Sequence, residues 1–170
     1  MQKLIRFITM DEGKRLIAGT PNKKLKLAMA LALGSGLRIS EVIGYKEKIL
    51  PLEMDNINLE THQIRVYGKG GRERITVTSP MLNSTNIKLL PLKINRRTLQ
   101  RKVEQLGLKI LKRKVTFHTL RHGFANFMVN DKNVPLPMVQ SMLGHSRLST
   151  TGIYTQSNPQ KAIETAWEVF

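Results

Sequence analysis

The chain has 170 residues, of which 41% are hydrophobic and 24% charged, and its 28 Lys and Arg against 12 Asp and Glu give a net charge of +16. The absence of cysteine excludes disulfides, thiol catalysis and cysteine-based metal sites. No apolar run approaches the ~18 residues of a membrane span, and the first residues lack the core of a signal peptide. We therefore expect a cytoplasmic protein, associated with the nucleoid, with no membrane anchor.

The basic residues are concentrated in four segments, 23–26, 69–74, 96–102 and 109–114. Any one segment is as well explained by a solvated basic surface as by a binding site. All four together favour a nucleic-acid backbone as partner, because clustered cations bind phosphates by releasing counterions. The residues predicted to bind DNA are Lys69, Arg72, Arg74, Arg96, Arg97 and Arg101.

The N-terminal part of the chain predicts helices. Thr9-Met10-Asp11-Glu12 is a capping box that opens a helix through about Ile17. Pro21-Asn22 opens a second helix with a buried run over 25–33, which the glycines at 34 and 36 end. A further turn or two of helix is expected over 40–43.

From Met54 the pattern changes to the alternation of β-strands. Two runs, 63–67 and 72–78, flank the glycine-rich turn 68–71 and predict a hairpin, with Lys69 at its tip. Residues 54–57 are a candidate third strand.

The remainder reads as a loop over 80–91 followed by helices. These are a helix capped by Asn95 and ending near Gly107, helices over 117–129 and 135–143, a short helix capped by Ser149 that carries Tyr154, and a final helix opened by Asn158 and Pro159. The prediction is a mostly helical α+β domain with one small antiparallel sheet.

Several of these segments carry side chains suited to phosphate chemistry. His118 and Arg121 are three residues apart, so on a helix they share a face and can reach one phosphate. Arg38 follows the end of a helix. Taken alone, it is interpreted as the salt-bridge partner of Glu41. The Glu41 carboxylate can also hold the guanidinium in place for another ligand.

Taken singly, the other candidates have ordinary interpretations. His145 is a helix-terminal histidine, Tyr154 a packed aromatic and Lys69 a solvated hairpin lysine. His62 and His122 are interpreted as structural or exposed.

The ordered set of motifs resembles a known family. The segments 36–41 (GLRISE), 116–125 (TFHTLRHGFA), 139–146 (VQSMLGHS) and 149–154 (STTGIY) resemble the signature of the tyrosine recombinases, the phage integrase and Xer-type enzymes. The match keeps the family's order from about Thr9 to Tyr154.

The resemblance implies how the scissile phosphate is held. Arg38 and Arg121 would bind its non-bridging oxygens, His145 would hydrogen-bond to it, and Glu41 would support the site. Preorganised cationic donors of this kind bind the pentavalent transition state better than the ground state.

The resemblance also implies how protons move. His118 would accept the proton of the Tyr154 phenol, which attacks the phosphorus to leave a 3′-phosphotyrosyl link, and Lys69 would protonate the departing 5′ oxygen. A base is needed because tyrosine titrates near pH 10. No carboxylate cluster suited to Mg²⁺ is evident, so no metal, ATP or other cofactor is expected.

The function implied is that of a site-specific recombinase or integrase that breaks and rejoins double-stranded DNA. We expect residues 1–170 to be a single catalytic domain, without the family's N-terminal core-binding domain. The chain is expected to be a monomer when free and a homotetramer on DNA. Residues 158–170 would form a helical tail that docks on a neighbouring protomer or packs on its own domain.

Three alternatives use the same residues differently. A type IB topoisomerase would relax DNA without paired sites, and a catalytically inactive relic would only bind DNA. A metal-free RNase would use the 2′-hydroxyl of its substrate and would not need Tyr154.

Overall fold

The structure is a computed structural model that describes residues 7–144, 159–168 and 170. Within these residues the regular elements are α1 Met10–Ala18, α2 Lys23–Ser35, α3 Ile39–Ile43, β1 Ile57–Asn58, β2 Gln63–Tyr67, β3 Glu73–Val77, α4 Arg96–Leu106, α5 Phe117–Asn126, α6 Leu136–Leu143 and α7 Pro159–Glu168. The predictions for His145, Ser149, Tyr154 and Asn158 lie outside the described residues.

Helix α1 begins as its sequence predicts. The Thr9 hydroxyl accepts a hydrogen bond from the backbone N–H of Glu12 at 3.1 Å, and the Glu12 carboxylate accepts one from the backbone N–H of Thr9 at 3.0 Å. These two bonds satisfy donors that a helix start leaves unpaired, so the capping box fixes where the first helix begins.

Helix α2 is the central helix of the main core. Its residues from Leu27 to Ser35 are all buried, and it packs against α5. The helix ends at Gly36, whose φ of +70° lies in the left-handed region and whose hydrogen faces the ring of Phe124. A side chain there would be strained and would collide with that ring, so Gly36 allows the turn that leads directly to Arg38.

The three strands form an antiparallel sheet in the order β1-β2-β3. On β2, Ile64 and Val66 are buried whereas Arg65 is exposed, which is the expected alternation across a half-buried sheet. The hairpin is confirmed, and its tip over Lys69–Gly71 forms a turn of 3₁₀ helix.

The third strand differs from its prediction. Residues Met54–Asn56 form a 3₁₀ turn, and only Ile57 and Asn58 pair with β2. The turn is closed by the backbone N–H of Glu53, which donates to Oδ1 of Asn56 at 2.9 Å. Local hydrogen bonding by Asn thus competes with the extended ladder.

Two helices run past their predicted ends or change geometry. Helix α4 continues through Gly107 as a π-helical turn over Gly107–Leu111, and α5 continues as a π-helical turn over Phe127–Asp131. Gly107 is buried against Arg113 and Val115, so here the glycine permits close packing instead of ending the helix.

A second cluster of buried apolar side chains lies beside the main core. It contains Val77 of β3, Phe124 of α5 and apolar side chains of α6. Helix α7 contributes the buried residues Ile163 and Ala166. The ring of Trp167 stacks on His62, with 3.6 Å between centroids and 7° between planes. In this structure α7 therefore packs on its own chain; docking of the 158–170 tail on a neighbouring protomer stays a prediction.

The fold is mostly helical with one small antiparallel sheet, as predicted. Among the helices of the described residues, none is long and apolar enough to cross a membrane.

Candidate phosphate-binding site

Glu41 is the buried centre of the candidate site. Its side chain is 1% exposed and projects from the short helix α3. Two hydrogen bonds tie it to Arg38, the residue that precedes this helix. The backbone N–H of Arg38 donates to Oε2 of Glu41 at 2.7 Å, and Nη1 of Arg38 donates to Oε1 at 3.0 Å. The predicted pairing of Arg38 with Glu41 is therefore present, while 44% of the Arg38 side chain stays exposed.

Arg74 reaches the same carboxylate from strand β3. Its Nη1 and Nη2 donate to Oε1 and Oε2 of Glu41 at 2.6 and 2.9 Å, and its Nε donates to the carbonyl of Met142 at 2.6 Å. The Arg74 side chain is only 10% exposed. The sequence predicted Arg74 to bind DNA, and this stays a prediction; the structure shows that Arg74 lines the site and is bonded to Glu41.

Arg121 lies deepest of the guanidiniums. It projects from α5 and donates to the carbonyl of Gly36 at 2.5 Å and to that of Leu143 at 2.7 Å, while Nη1 lies 4.0 Å from Oε2 of Glu41. Because those carbonyls end α2 and α6, Arg121 ties three helices together at one point.

The protonation of this group follows from its burial and its neighbours. Burial alone would raise the pKa of Glu41, but hydrogen bonds and charge from Arg74, with a smaller contribution from Arg38, hold that pKa below its ordinary value. Burial, followed by repulsion from Arg38, lowers the pKa of Arg121 to about 9. Both groups are therefore charged at neutral pH.

Three guanidiniums thus share one carboxylate, and the local charge is about two units positive. Arg38 and Arg74 are bonded to Glu41, and Arg121 is 4.0 Å away. A surplus that is fixed in position before any ligand arrives is suited to binding an anion.

Two adjoining clefts open beside this cluster and share Arg38 and Ser40. The first, of about 860 Å³, is also lined by Lys69, Arg72 and Gly144, and we call it the hairpin cleft. The second, of about 600 Å³, is lined by Arg96, Arg121, His118 and His122, and we call it the helix cleft. The clefts bring Arg38, Lys69, His118 and Arg121 to one region of the surface.

His118 has a partner that the sequence analysis left among structural or exposed residues. Its Nε2 lies 2.7 Å from Nε2 of His122, and the two rings meet edge to face with 4.1 Å between centroids. The signal was available, because residues four apart on a helix are neighbours.

His145 and Tyr154 lie outside the described residues, but the chain that leads to them is defined. Leu143 ends α6 with its carbonyl bonded to Arg121. Gly144 follows with a left-handed φ of +68° and lines the hairpin cleft. The backbone therefore leaves the described part at the edge of the site.

The remaining residues predicted to bind DNA are exposed. Lys69 and Arg72 line the hairpin cleft, and Arg96 lines the helix cleft with its guanidinium 5.8 Å from the ring centre of Tyr45. Arg97 and Arg101 lie further along α4, around a shallow polar depression of about 360 Å³. The described residues contain no group of three or more His, Asp or Glu side chains that could hold a metal ion.

Comparison with known proteins identifies the relationship. The model of the phage integrase family matches residues 88–161. The tyrosine recombinase XerD of Staphylococcus aureus is 32% identical over 91% of this chain and 59% of its own length. The chain is therefore similar to the phage integrase family of tyrosine recombinases.

Solved structures of the family have the same fold. The integrase of mycobacterium phage Brujita is 19% identical, covers 100% of this chain and 60% of its own, and superposes with a TM-score of 0.75. The XerH site-specific recombinase, solved bound to its difH substrate, is 20% identical, covers 85% of this chain and 48% of its own, and has a TM-score of 0.66. The comparisons give no support to the topoisomerase alternative.

The chain spans less than two thirds of the length of the curated family members that it matches.

Proposed function

We propose that this chain is the catalytic part of a site-specific DNA recombinase, which breaks and rejoins double-stranded DNA through a 3′-phosphotyrosyl link to Tyr154. One observation carries the proposal: Arg38, Lys69, His118 and Arg121 line two adjoining clefts that share Arg38. The similarity of the chain to the phage integrase family supports the same function.

The phosphate would lie against the guanidiniums. Arg38 is paired with Glu41 yet half-exposed, so its outer donors can reach a non-bridging oxygen. Arg121 has its Nη1 and Nη2 on two carbonyls, and its remaining N–H groups are the donors for a second oxygen. Glu41 keeps both groups in place, and His145 is the predicted additional donor.

The proposed reaction then needs one proton acceptor and one proton donor. His118 takes the phenolic proton of Tyr154, and the phenolic oxygen attacks phosphorus. The bond to the 5′ oxygen breaks, and Lys69 supplies a proton to that oxygen. The phosphotyrosyl ester keeps the energy of the broken link, so the reverse steps rejoin the strand without ATP.

The basic surface would hold the duplex on either side of that phosphate. Lys69, Arg72 and Arg96 line the clefts, and Arg97 and Arg101 extend the positive surface along α4. We expect a monomer in free solution, a tetramer on paired DNA sites, and an association with the nucleoid in the cytoplasm.

The test is covalent capture on a nicked suicide duplex in EDTA. The wild-type chain is expected to give a protein–DNA band, Tyr154→Phe none, and Arg121→Lys a rate lower by about 100-fold, because an ammonium cannot span two carbonyls and bind phosphate as a planar fork does. Arg15→Lys on the exposed face of α1 is the matched control and is expected to keep the wild-type rate. A band of undiminished intensity with Tyr154→Phe contradicts the proposal.

A further inference from the structure

We infer that His122 is a positioning residue that accepts the Nε2 proton of His118 and so prepares His118 to act as a base. The inference rests on the proposed function, which makes His118 the acceptor of the tyrosine proton. It gives a role to a histidine that the sequence analysis left as structural or exposed.

The contact between the two rings requires one of their Nε2 atoms to carry a proton. The atoms lie 2.7 Å apart, a hydrogen-bond distance that two unprotonated nitrogens, or two protonated ones, would not keep. Both side chains belong to α5 and are exposed, so the pair is formed by the helical spacing of the residues and not by forced burial.

Guanidiniums surround the histidine pair. Arg38, Arg96 and Arg121 line the same cleft as both rings, so the pair lies beside the cations that would hold the phosphate in the proposed function.

Only one arrangement of the neutral pair leaves His118 able to act as a base. If Nε2–H of His118 donates to Nε2 of His122, then Nδ1 of His118 keeps its lone pair. In the reverse arrangement His118 carries its hydrogen on Nδ1 and offers a donor where an acceptor is needed. When His122 accepts the Nε2 hydrogen, it holds His118 in the tautomer whose Nδ1 can accept a proton.

The proton balance of the attack follows. The O–H bond of Tyr154 breaks and an N–H bond forms at Nδ1 of His118, while the electron pair of the O–H bond forms the new P–O bond. The 5′ oxygen leaves with a proton from Lys69. The ring of His118 is then positively charged. The hydrogen between the two Nε2 atoms shifts toward His122, so the charge is shared by both rings and no further reactant is needed.

A double-mutant cycle on the full chain tests the inference by single-turnover cleavage of the suicide duplex at saturating protein. His122→Phe keeps a planar ring without nitrogens and is expected to slow cleavage by about 10-fold or more while duplex affinity is unchanged. Because His122 acts through His118, the double variant His118→Phe/His122→Phe should be no slower than His118→Phe alone. The control Arg15→Lys changes an exposed residue of α1 outside both clefts and should keep the wild-type rate.

A second measurement uses a nucleophile that does not need a base. Replacing Tyr154 with a fluorinated tyrosine that ionises near neutral pH should shrink the defect of His122→Phe to about twofold, whereas a defect of folding or DNA placement would persist. Additive effects in the double variant, or a His122→Phe defect that the fluorinated tyrosine leaves unchanged, overturn the inference. If the wild-type chain forms no covalent complex, the proposed function fails and the inference with it; if it does and His122→Phe cleaves at the wild-type rate, only the inference fails.

Discussion

At the scale of single residues, the site depends on one carboxylate that balances several guanidiniums. Glu41 accepts hydrogen bonds from Arg38 and Arg74 and lies 4.0 Å from Arg121. Each arginine comes from a different element, so Glu41 makes their positions depend on one another. Breaking a buried pair of this kind is costly because it leaves charge buried without compensation.

We expect Glu41→Gln to lower the free energy of unfolding by about 3 kcal/mol at pH 7. Glu73→Gln is the matched control, since Glu73 pairs with Arg65 on the surface, where the side chains are 46% and 58% exposed, and it should change stability by less than about 1 kcal/mol. Denaturant titration of the three proteins measures both differences.

The difference in unfolding free energy between the wild-type chain and Glu41→Gln should depend on pH. The pKa of Glu41 is lower in the folded chain than its ordinary value of 4.5, so its contribution is present above that pH and is lost as pH falls through the folded pKa. The gap between wild type and Glu41→Gln should therefore narrow below about pH 4.5. A gap that stays constant into strong acid would show that the ionised carboxylate is not the stabilising group.

The local part of this arrangement could be predicted from the sequence, and the distant part could not. Arg38 and Glu41 are three residues apart, so helical geometry alone suggests their pairing. Arg74 is 33 residues from Glu41, and the two are brought together by tertiary packing, in which β3 contacts α6 and α2. A basic residue next to a hairpin tip resembles any surface cation, so the sequence alone does not indicate its bond to Glu41.

At the scale of elements, the helix bounds were predicted well because caps and glycines are local signals. The exceptions are informative. Gly107 permits close packing and a π-helical turn where a helix end was predicted, and residues Met54–Asn56 turn where a strand was predicted. In both places tertiary packing or a side-chain hydrogen bond outweighs a weak intrinsic preference.

Helix α7 is the element whose packing most needs an independent test. Trp167 is the only tryptophan of the chain, and it stacks on His62, so its fluorescence reports on this contact. We expect His62→Leu to change the emission of Trp167, and the change to be the same after about tenfold dilution, because the contact is within one chain. His118→Leu, on another surface, is the control and should leave the emission unchanged.

The contrary result would be an emission that varies with protein concentration in the wild-type chain. That outcome would move α7 to a neighbouring protomer in solution and favour the other arrangement that the sequence allowed for the tail.

At the scale of the whole molecule, we expect the net charge of +16 to govern encounter with DNA, the proposed partner. Cations spread over α4 and the hairpin can hold the backbone on both sides of the clefts. Binding of this kind releases counterions, and the logarithm of the affinity falls by about 0.9 for each phosphate contact per unit of log salt.

We expect the double variant Arg97→Ala/Arg101→Ala to reduce the slope of that salt dependence by about two. Lys14→Ala/Arg15→Ala removes the same charge from exposed positions on α1 and should change the slope much less. Affinity for a labelled duplex at several salt concentrations distinguishes the two variants. Equal slopes for both would mean that the charge acts through the general field of the protein and not through contacts made by α4.

In the proposed function, the cations and imidazoles that line the clefts serve attack by Tyr154 on a DNA phosphorus. The most direct measurement is to isolate the complex trapped on a suicide duplex, digest it, and identify the joined peptide and nucleotide by mass spectrometry. We expect a peptide containing Tyr154 joined through its phenolic oxygen to a 3′ phosphate, with a free 5′-hydroxyl on the released strand. Attachment to another residue, or a link through a 5′ phosphate, would contradict it.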